Sequence, residues 1–349
     1  MSVVIDHVSC ALPGDGEVPG RKVSNHELIE ALGGKERVGG LTPEKFEKVF
    51  GIRSRRLMSP VNPNTGKPAY PEQIDEIGMA TTATARVFEK SNLIPEDIDA
   101  LFFITATQKK ARFNEASMEL IRQSGLTNLS LSDEMAVGCG GFGVALVQST
   151  HILRGSPGIE NVLIVASHCP SKHINAELYA EEGEHINELL FGDGAAAALI
   201  RGVESSSSGI KTIYSDIRED AEIMTATNMS QGVLYSLDEY AAGHNYSKFI
   251  KETYRLLLER SETSPDEIDR HYFHQVNGNK LDGVLDELGI PHQLAPKHVD
   301  WLGNLSAAST PILTAEDLKD GKLQRGDKIM FNVMGAASGA NAAGAIGTY

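Results

Sequence analysis

Three side chains, a thiol, an imidazole and a carboxamide, carry the chemistry this sequence offers most directly. Cys139 lies in Ala136-Val137-Gly138-Cys139-Gly140-Gly141-Phe142-Gly143. Glycines on both sides permit a tight strand-to-helix turn that sets the thiol at a helix N-terminus, where backbone N–H groups and the macrodipole favour thiolate. The same N–H groups can stabilise an oxyanion. A lone cysteine is more often a small buried hydrophobe, and the glycine setting brings the two readings level. His274 ends an apolar run and precedes Gln275-Val276-Asn277-Gly278-Asn279. A strand would thus deliver it to a polar loop, the placement of a catalytic group on a rigid scaffold; a satisfied structural histidine is the alternative. Asn304, in Trp301-Leu302-Gly303-Asn304-Leu305-Ser306, precedes a helix-like segment and serves equally as a cap or turn asparagine. The three support one another, because a pseudo-twofold arrangement would bring their turns to one crevice.

Other clusters are weaker. His168, Cys169 and His173 invite a metal reading, but no second pair with zinc-like spacing accompanies them, so no metal is expected. Gly192-Asp193-Gly194 lacks the lysine and helix start of a phosphate loop.

The elements that must position these residues alternate between strand-like and helix-like, which argues for an α/β protein. Strands are expected over 3–8, 100–106, 161–167, 194–200, 209–214, 271–274 and 328–333. Ser24-Asn25-His26-Glu27 and Ser264-Pro265-Asp266-Glu267 read as capping boxes that open helices. Thr42-Pro43 opens another helix, which Gly51 closes. A repeat organises the whole. Pro95-Glu96-Asp97-Ile98-Asp99 leads into Leu101-Phe102-Phe103-Ile104, and Pro265-Asp266-Glu267-Ile268-Asp269 leads into Tyr272-Phe273-His274-Gln275. Each follows an amphipathic helix, over 79–91 and 247–261. Downstream, the small-residue turns around Cys139 and Asn304 correspond, and each half ends in a glycine/alanine-rich segment, 192–198 and 335–347. Two similar halves, 1–203 and 204–349, are therefore expected, with the boundary near Gly202–Gly209 in a serine run.

The chain has 349 residues, 41% hydrophobic and 23% charged, the balance of an ordinary globular protein. A formal charge of −15 disfavours nucleic acid and anionic lipid as partners. A local basic patch from Arg53, Arg55 and Arg56, or from Lys109, Lys110 and Arg112, would still suit a small acidic partner. No run approaches the roughly 18 apolar residues of a membrane span, and the N-terminus lacks a basic leader pattern. Three cysteines, Cys10, Cys139 and Cys169, make no disulfide framework and suit a reducing cytosol, so a cytoplasmic location is expected.

Over essentially its whole length the sequence resembles the 3-ketoacyl-ACP synthase III branch of the thiolase superfamily. The residues that carry the likeness are Gly51-Ile52-Arg53, Gly138-Cys139-Gly140-Gly141-Phe142, Phe191-Gly192-Asp193-Gly194-Ala195, His274-Gln275-Val276-Asn277, Gly303-Asn304-Leu305-Ser306-Ala307-Ala308-Ser309 and the segment 335–347. The resemblance implies a thiolase fold, two similar βαβαβαββ halves in a five-layered αβαβα arrangement, and a homodimer. It implies ping-pong chemistry on acyl and malonyl thioesters of acyl carrier protein or coenzyme A, with no metal and no bound cofactor. Cys139 would take the acyl group, with the amides of Cys139 and Ala336 as oxyanion donors. His274 and Asn304 would hold the malonyl thioester oxygen as carbon dioxide leaves and the enolate forms. Phe113, Glu115, Asn277 and Gly335 fall at substrate-binding positions. Relatives that join two acyl chains use a carboxylate in the Glu115 segment, although an exposed helix-start glutamate is the plainer reading.

Departures also show. Lys45 and Val49 stand where housekeeping members clamp the coenzyme A adenine, the single tryptophan, Trp301, lies elsewhere, and Asn279 beside Lys280 takes a basic docking position. The segment before Phe191 reads as a long acidic loop bearing Glu177, Glu181, Glu182 and Glu184. These imply a specialised or longer acyl donor rather than acetyl-CoA. A papain-like hydrolase would also use cysteine, histidine and asparagine, but the duplicated halves have no role there. A silent partner of another synthase would be expected to lack one of the three, and all are present.

Overall fold

The structure, a computed structural model, describes residues 1–107, 114–204, 208–218, 224–337 and 339–349. Among these residues two larger sheets dominate. The first contains β1 (Ser2–Ala11), β2 (Ala100–Ile104), β3 (Leu131–Met135), β4 (Asn161–His168) and β5 (Gly194–Val203), in the order β1-β5-β4-β2-β3. The second contains β6 (Gly209–Arg218), β7 (Arg270–Phe273), β8 (Lys328–Ala337) and β9 (Gly339–Thr348), in the order β6-β9-β8-β7. Pairing types match: β1/β5 and β5/β4 are antiparallel and β4/β2 parallel, just as β6/β9 and β9/β8 are antiparallel and β8/β7 parallel.

Strand alternation shows why these runs are apolar throughout. Ala100, Phe102 and Ile104 enter one core while Leu101 and Phe103 enter another, so both faces of the sheet are covered. Helices α1 (Glu76–Lys90) and α2 (Glu115–Ser124) pack on the outer face of the first sheet. Helices α4 (Glu239–Ser261) and α5 (Gly278–Leu288) cover the outer face of the second. Between the sheets lie α3 (Gly141–Gly155) and α6 (Ser309–Lys319), whose Phe142, Leu146, Ile312 and Leu313 share a core with Phe102, Ile164 and Phe331. The result is the five-layered αβαβα stack of the thiolase fold.

The repeat read from the sequence is physical. Pro95–Asp97 and Pro265–Glu267 each form one 3-10 turn ahead of the parallel strand. The next aspartate locks the neighbouring strand: Asp99 Oδ2 accepts from the amides of Glu160 and Asn161, and Asp269 Oδ2 from that of Lys328. The helix expected after Ser264 is therefore only this turn, because Ile268 and the strand behind it are pulled at once into the core. The glycine/alanine-rich segments are long strands, β5 and β9. Of the serine run at the expected boundary, residues 205–207 lie outside the described residues.

Further differences concern charge. Arg53, Arg55 and Arg56 form no open patch. Arg53 pairs with Asp300, Arg56 donates to the Pro13 carbonyl, and Arg55 is buried, donating to the Leu189 carbonyl. Lys109, Lys110 and Arg112 lie outside the described residues. The expected acidic loop is instead two short helices, Ala176–Glu182 and His185–Leu190. Buried Glu188 accepts from the Asn175 amide and Glu184 from Ser236 Oγ, so part of the acidity is spent on internal hydrogen bonds.

Candidate active site

The Cys139 turn is shaped by strands of both sheets. β3 feeds a 3-10 turn, Gly138–Gly140, that runs straight into α3. Cys139 thus stands just ahead of the N-terminus of α3. Gly138 takes φ +63°, the left-handed region a side chain resists. From the other sheet, Gly335 of β8 presses on the turn so closely that a Cβ there would stand 2.6 Å from Gly140 N. Asn341 of β9 adds a hydrogen bond from its Nδ2 to the Val137 carbonyl, at 3.1 Å. Ala336 continues β8 beside this contact. The thiol is buried, with 8% of the residue exposed.

The Asn304 turn is held in the same way. Its amide donates to the Leu190 carbonyl at 3.0 Å and its carbonyl accepts from Gly192 at 3.1 Å. Asn304 Oδ1 accepts from the Ser306 amide at 2.8 Å. Only the oxygen end of a carboxamide accepts an N–H, so the Nδ2 end is left to donate elsewhere. Ser306, at φ +51°, then donates its hydroxyl to Cys139 Sγ at 3.4 Å. One residue therefore ties the Cys139 thiol to the Asn304 carboxamide.

His274 sits one residue beyond β7. Its amide donates to Asn332 and its carbonyl accepts from Tyr246 Oη at 2.7 Å, which fixes the backbone on both sides. The ring is buried and neither nitrogen has a protein partner. Burial first, then the neighbouring His298, push its pKa down to about 3. The imidazole is therefore neutral at neutral pH, with one N–H to donate to a developing oxyanion.

Comparison with known proteins gives the family. The family models for the 3-oxoacyl-[acyl-carrier-protein] synthase III and for its C-terminal region match residues 134–220 and 258–348, together just over half of the chain. This chain belongs to the 3-oxoacyl-ACP synthase III family. It is similar to the beta-ketoacyl-[acyl-carrier-protein] synthase III of Aquifex aeolicus, 27% identical over 257 residues, covering 74% of this chain and 79% of that protein. The crystal structure of the Aquifex aeolicus synthase III superposes with a TM-score of 0.81 at 23% identity, covering 100% of this chain and 99% of that one. OleA of Xanthomonas campestris superposes with a TM-score of 0.83 at 18% identity, covering 100% and 99%. As a synthase III family member, the protein is an acyltransferase of the condensing type.

The other positions expected of a synthase III divide. Gly335 meets the Cys139 turn, as described. Asn277 caps α5, accepting from the Lys280 amide at 3.0 Å and donating to the Val49 carbonyl at 3.1 Å, so its carboxamide is already occupied. Asn279 likewise donates to the Lys48 carbonyl at 2.8 Å. Phe113 lies outside the described residues. Glu115 is the first residue of α2, as expected, but half-buried rather than exposed. Among the described residues no group of histidine, cysteine and carboxylates is arranged to hold a metal. Ser306 was missed by sequence reasoning, because its role depends on a left-handed backbone that a serine does not announce.

Proposed function

We propose that this protein is a decarboxylating 3-ketoacyl synthase in fatty-acid or polyketide-type biosynthesis. The observation that carries the reading is the Ser306 bridge between Cys139 Sγ and Asn304 Oδ1, with neutral His274 as a further buried donor. Cys139 thiolate attacks an acyl thioester, the amides of Cys139 and Ala336 hold the oxyanion, and the carrier thiol leaves. A malonyl thioester then binds with its carbonyl oxygen on His274 and Asn304. Carbon dioxide departs, the enolate carbon attacks the acyl-cysteine, and a 3-ketoacyl thioester is released. In this reading the working units are the halves 1–203 and 204–349 of a homodimer in the cytoplasm. Among the described residues no helix is long and apolar enough to cross a membrane.

An acidic carrier protein is favoured as the donor by a surface cleft lined by His244, Lys248, Lys251, Arg255 and Lys280, together with Glu252. Such a cluster attracts an anionic partner despite the net charge of −15. Half-buried Glu115 supports a second reading, an enzyme that joins two acyl chains. Intact-protein mass after incubation with acyl thioesters tests the first half-reaction. Wild type gains one acyl group and Cys139→Ala gains none. Carbon dioxide release from malonyl thioester separates the two readings, and an enzyme that never acylates would instead be a silent partner subunit.

A further inference from the structure

His168 lies outside the expected triad, and its place in the fold gives it work to do. It ends β4, seven residues after Asn161, whose amide Asp99 holds. In the second half, Lys328 is held by Asp269, and the residue seven places on is Gly335. Pairing agrees: His168 faces Gly194 across the antiparallel ladder as Gly335 faces Asn341. By this register His168 stands to the Asn304 turn as Gly335 stands to the Cys139 turn.

Strand alternation sends its ring inward. Val162, Ile164 and Ala166 enter the core between the sheets, and His168 continues that face, whereas Ser167 and Cys169 turn to the α1 side. The ring meets Phe191 edge-on, centroids 5.5 Å apart, and the Phe191 backbone bridges to Asn304. His168 is 7% exposed, and both ring nitrogens lack a protein partner. Burial, with smaller contributions from His173, Lys172 and His274, lowers its pKa to about 3 and keeps the ring neutral. A buried N–H without a partner is a cost that a bound oxygen would relieve.

Resting on the condensing reading above, we propose that His168 is a specificity-determining residue of the acceptor side, donating a hydrogen bond to the β-carboxyl or β-carbonyl oxygen of a 1,3-dicarbonyl thioester. It acts in the second half-reaction, because its ring packs on Phe191, whose backbone bridges to the turn that carries Asn304.

The experiment compares wild type, His168→Phe and His168→Gln in two separate assays: Cys139 acylation by intact mass, and condensation with malonyl thioester. Expected for His168→Phe is an unchanged acylation rate with KM for malonyl thioester raised tenfold or more. His168→Gln, which keeps an N–H donor, should recover most of that loss. An unchanged acceptor KM in His168→Phe overturns the proposal, as does acylation slowed as much as condensation. If His168→Phe fails to fold, a His168→Gln variant with wild-type acylation and an acceptor KM raised a few-fold supports it, and one with weakened acylation overturns it. Wild type that takes no acyl group at all would defeat the condensing reading itself, a result distinct from any of these.

Discussion

The two halves of this molecule share a skeleton and differ where chemistry is placed. Both carry the Pro-Asp-Glu or Pro-Glu-Asp turn, the aspartate that locks a neighbouring strand, and two long antiparallel strands at the end. At the turn ahead of the central helix they part. The first half has a fifth strand, β3, leading into Gly138-Cys139-Gly140. Among the described residues, the corresponding stretch of the second half is a short helix, Val299–Leu302, leading into Gly303-Asn304. The opposite half meets the two turns differently: the backbone of Gly335 abuts Gly140, whereas the Phe191 backbone bridges to Asn304 and carries the ring that His168 meets. The strand-locking hydrogen bonds are common to both halves, while the turn carries a cysteine in one and an asparagine in the other.

The strongest way to break that comparison is to remove each turn's functional atom. Cys139→Ala should abolish acylation, while Asn304→Ala should keep acylation and lose condensation by about 100- to 1,000-fold, the usual cost of one oxyanion donor. Intact mass and product formation read the two separately, and an Asn304→Ala enzyme that no longer acylates would show that the halves do not divide the labour. Next in size is Gly335→Ala. A methyl 2.6 Å from Gly140 N forces the turn apart, and overpacking of this kind costs about 1–3 kcal/mol. Denaturant unfolding should show that loss together with slowed acylation.

Buried histidines set a pH dependence divided between the halves. Burial, aided at most sites by nearby charge, lowers His168 and His274 to about 3 and His173 and His271 to about 4, from an ordinary 6.5. The unfolded chain takes up these protons below about pH 6.5 and the folded one does not. Stability is therefore full above that pH and falls as pH drops towards 4, by up to about 1.4 kcal/mol per unit for each group. His271 packs against Phe273 away from the thiol, so His271→Phe should flatten the slope of Tm against pH without changing acylation. An unchanged slope would mean that His271 is charged in the folded protein. The smallest effect tests the shared clamp. Asp99→Ala releases two backbone amides and Asp269→Ala one. Unfolding should register about 1–2 kcal/mol for the first and less for the second; the reverse order would deny the clamps their common role.

Much of this was legible. Apolar runs such as Leu101-Phe102-Phe103-Ile104 announce strands buried on both faces, and the repeated acidic turns announce duplication. Thr42 and Gly51 cap their helix as their residue types predict. What stayed hidden has physical causes. Leu131-Ser132-Asp133-Glu134-Met135 is polar because β3 lies at a sheet edge. β9 is built largely from alanine and glycine, poor strand formers that hold a strand only where helices press close. Asn277 reads as a site residue, yet its carboxamide meets Val49, 228 positions away in sequence. His168 invites a metal reading because sequence shows its neighbours Cys169 and His173 but not the strand pleat that turns Cys169 to the opposite face.

The contact of Gly335 on Gly140 has an evolutionary consequence. The turn that carries the thiol is held shut by a strand of the opposite half, so neither half alone can hold its own turn. An ancestor made of one such unit could have been an enzyme only as a pair of identical copies, each closing the other's turn.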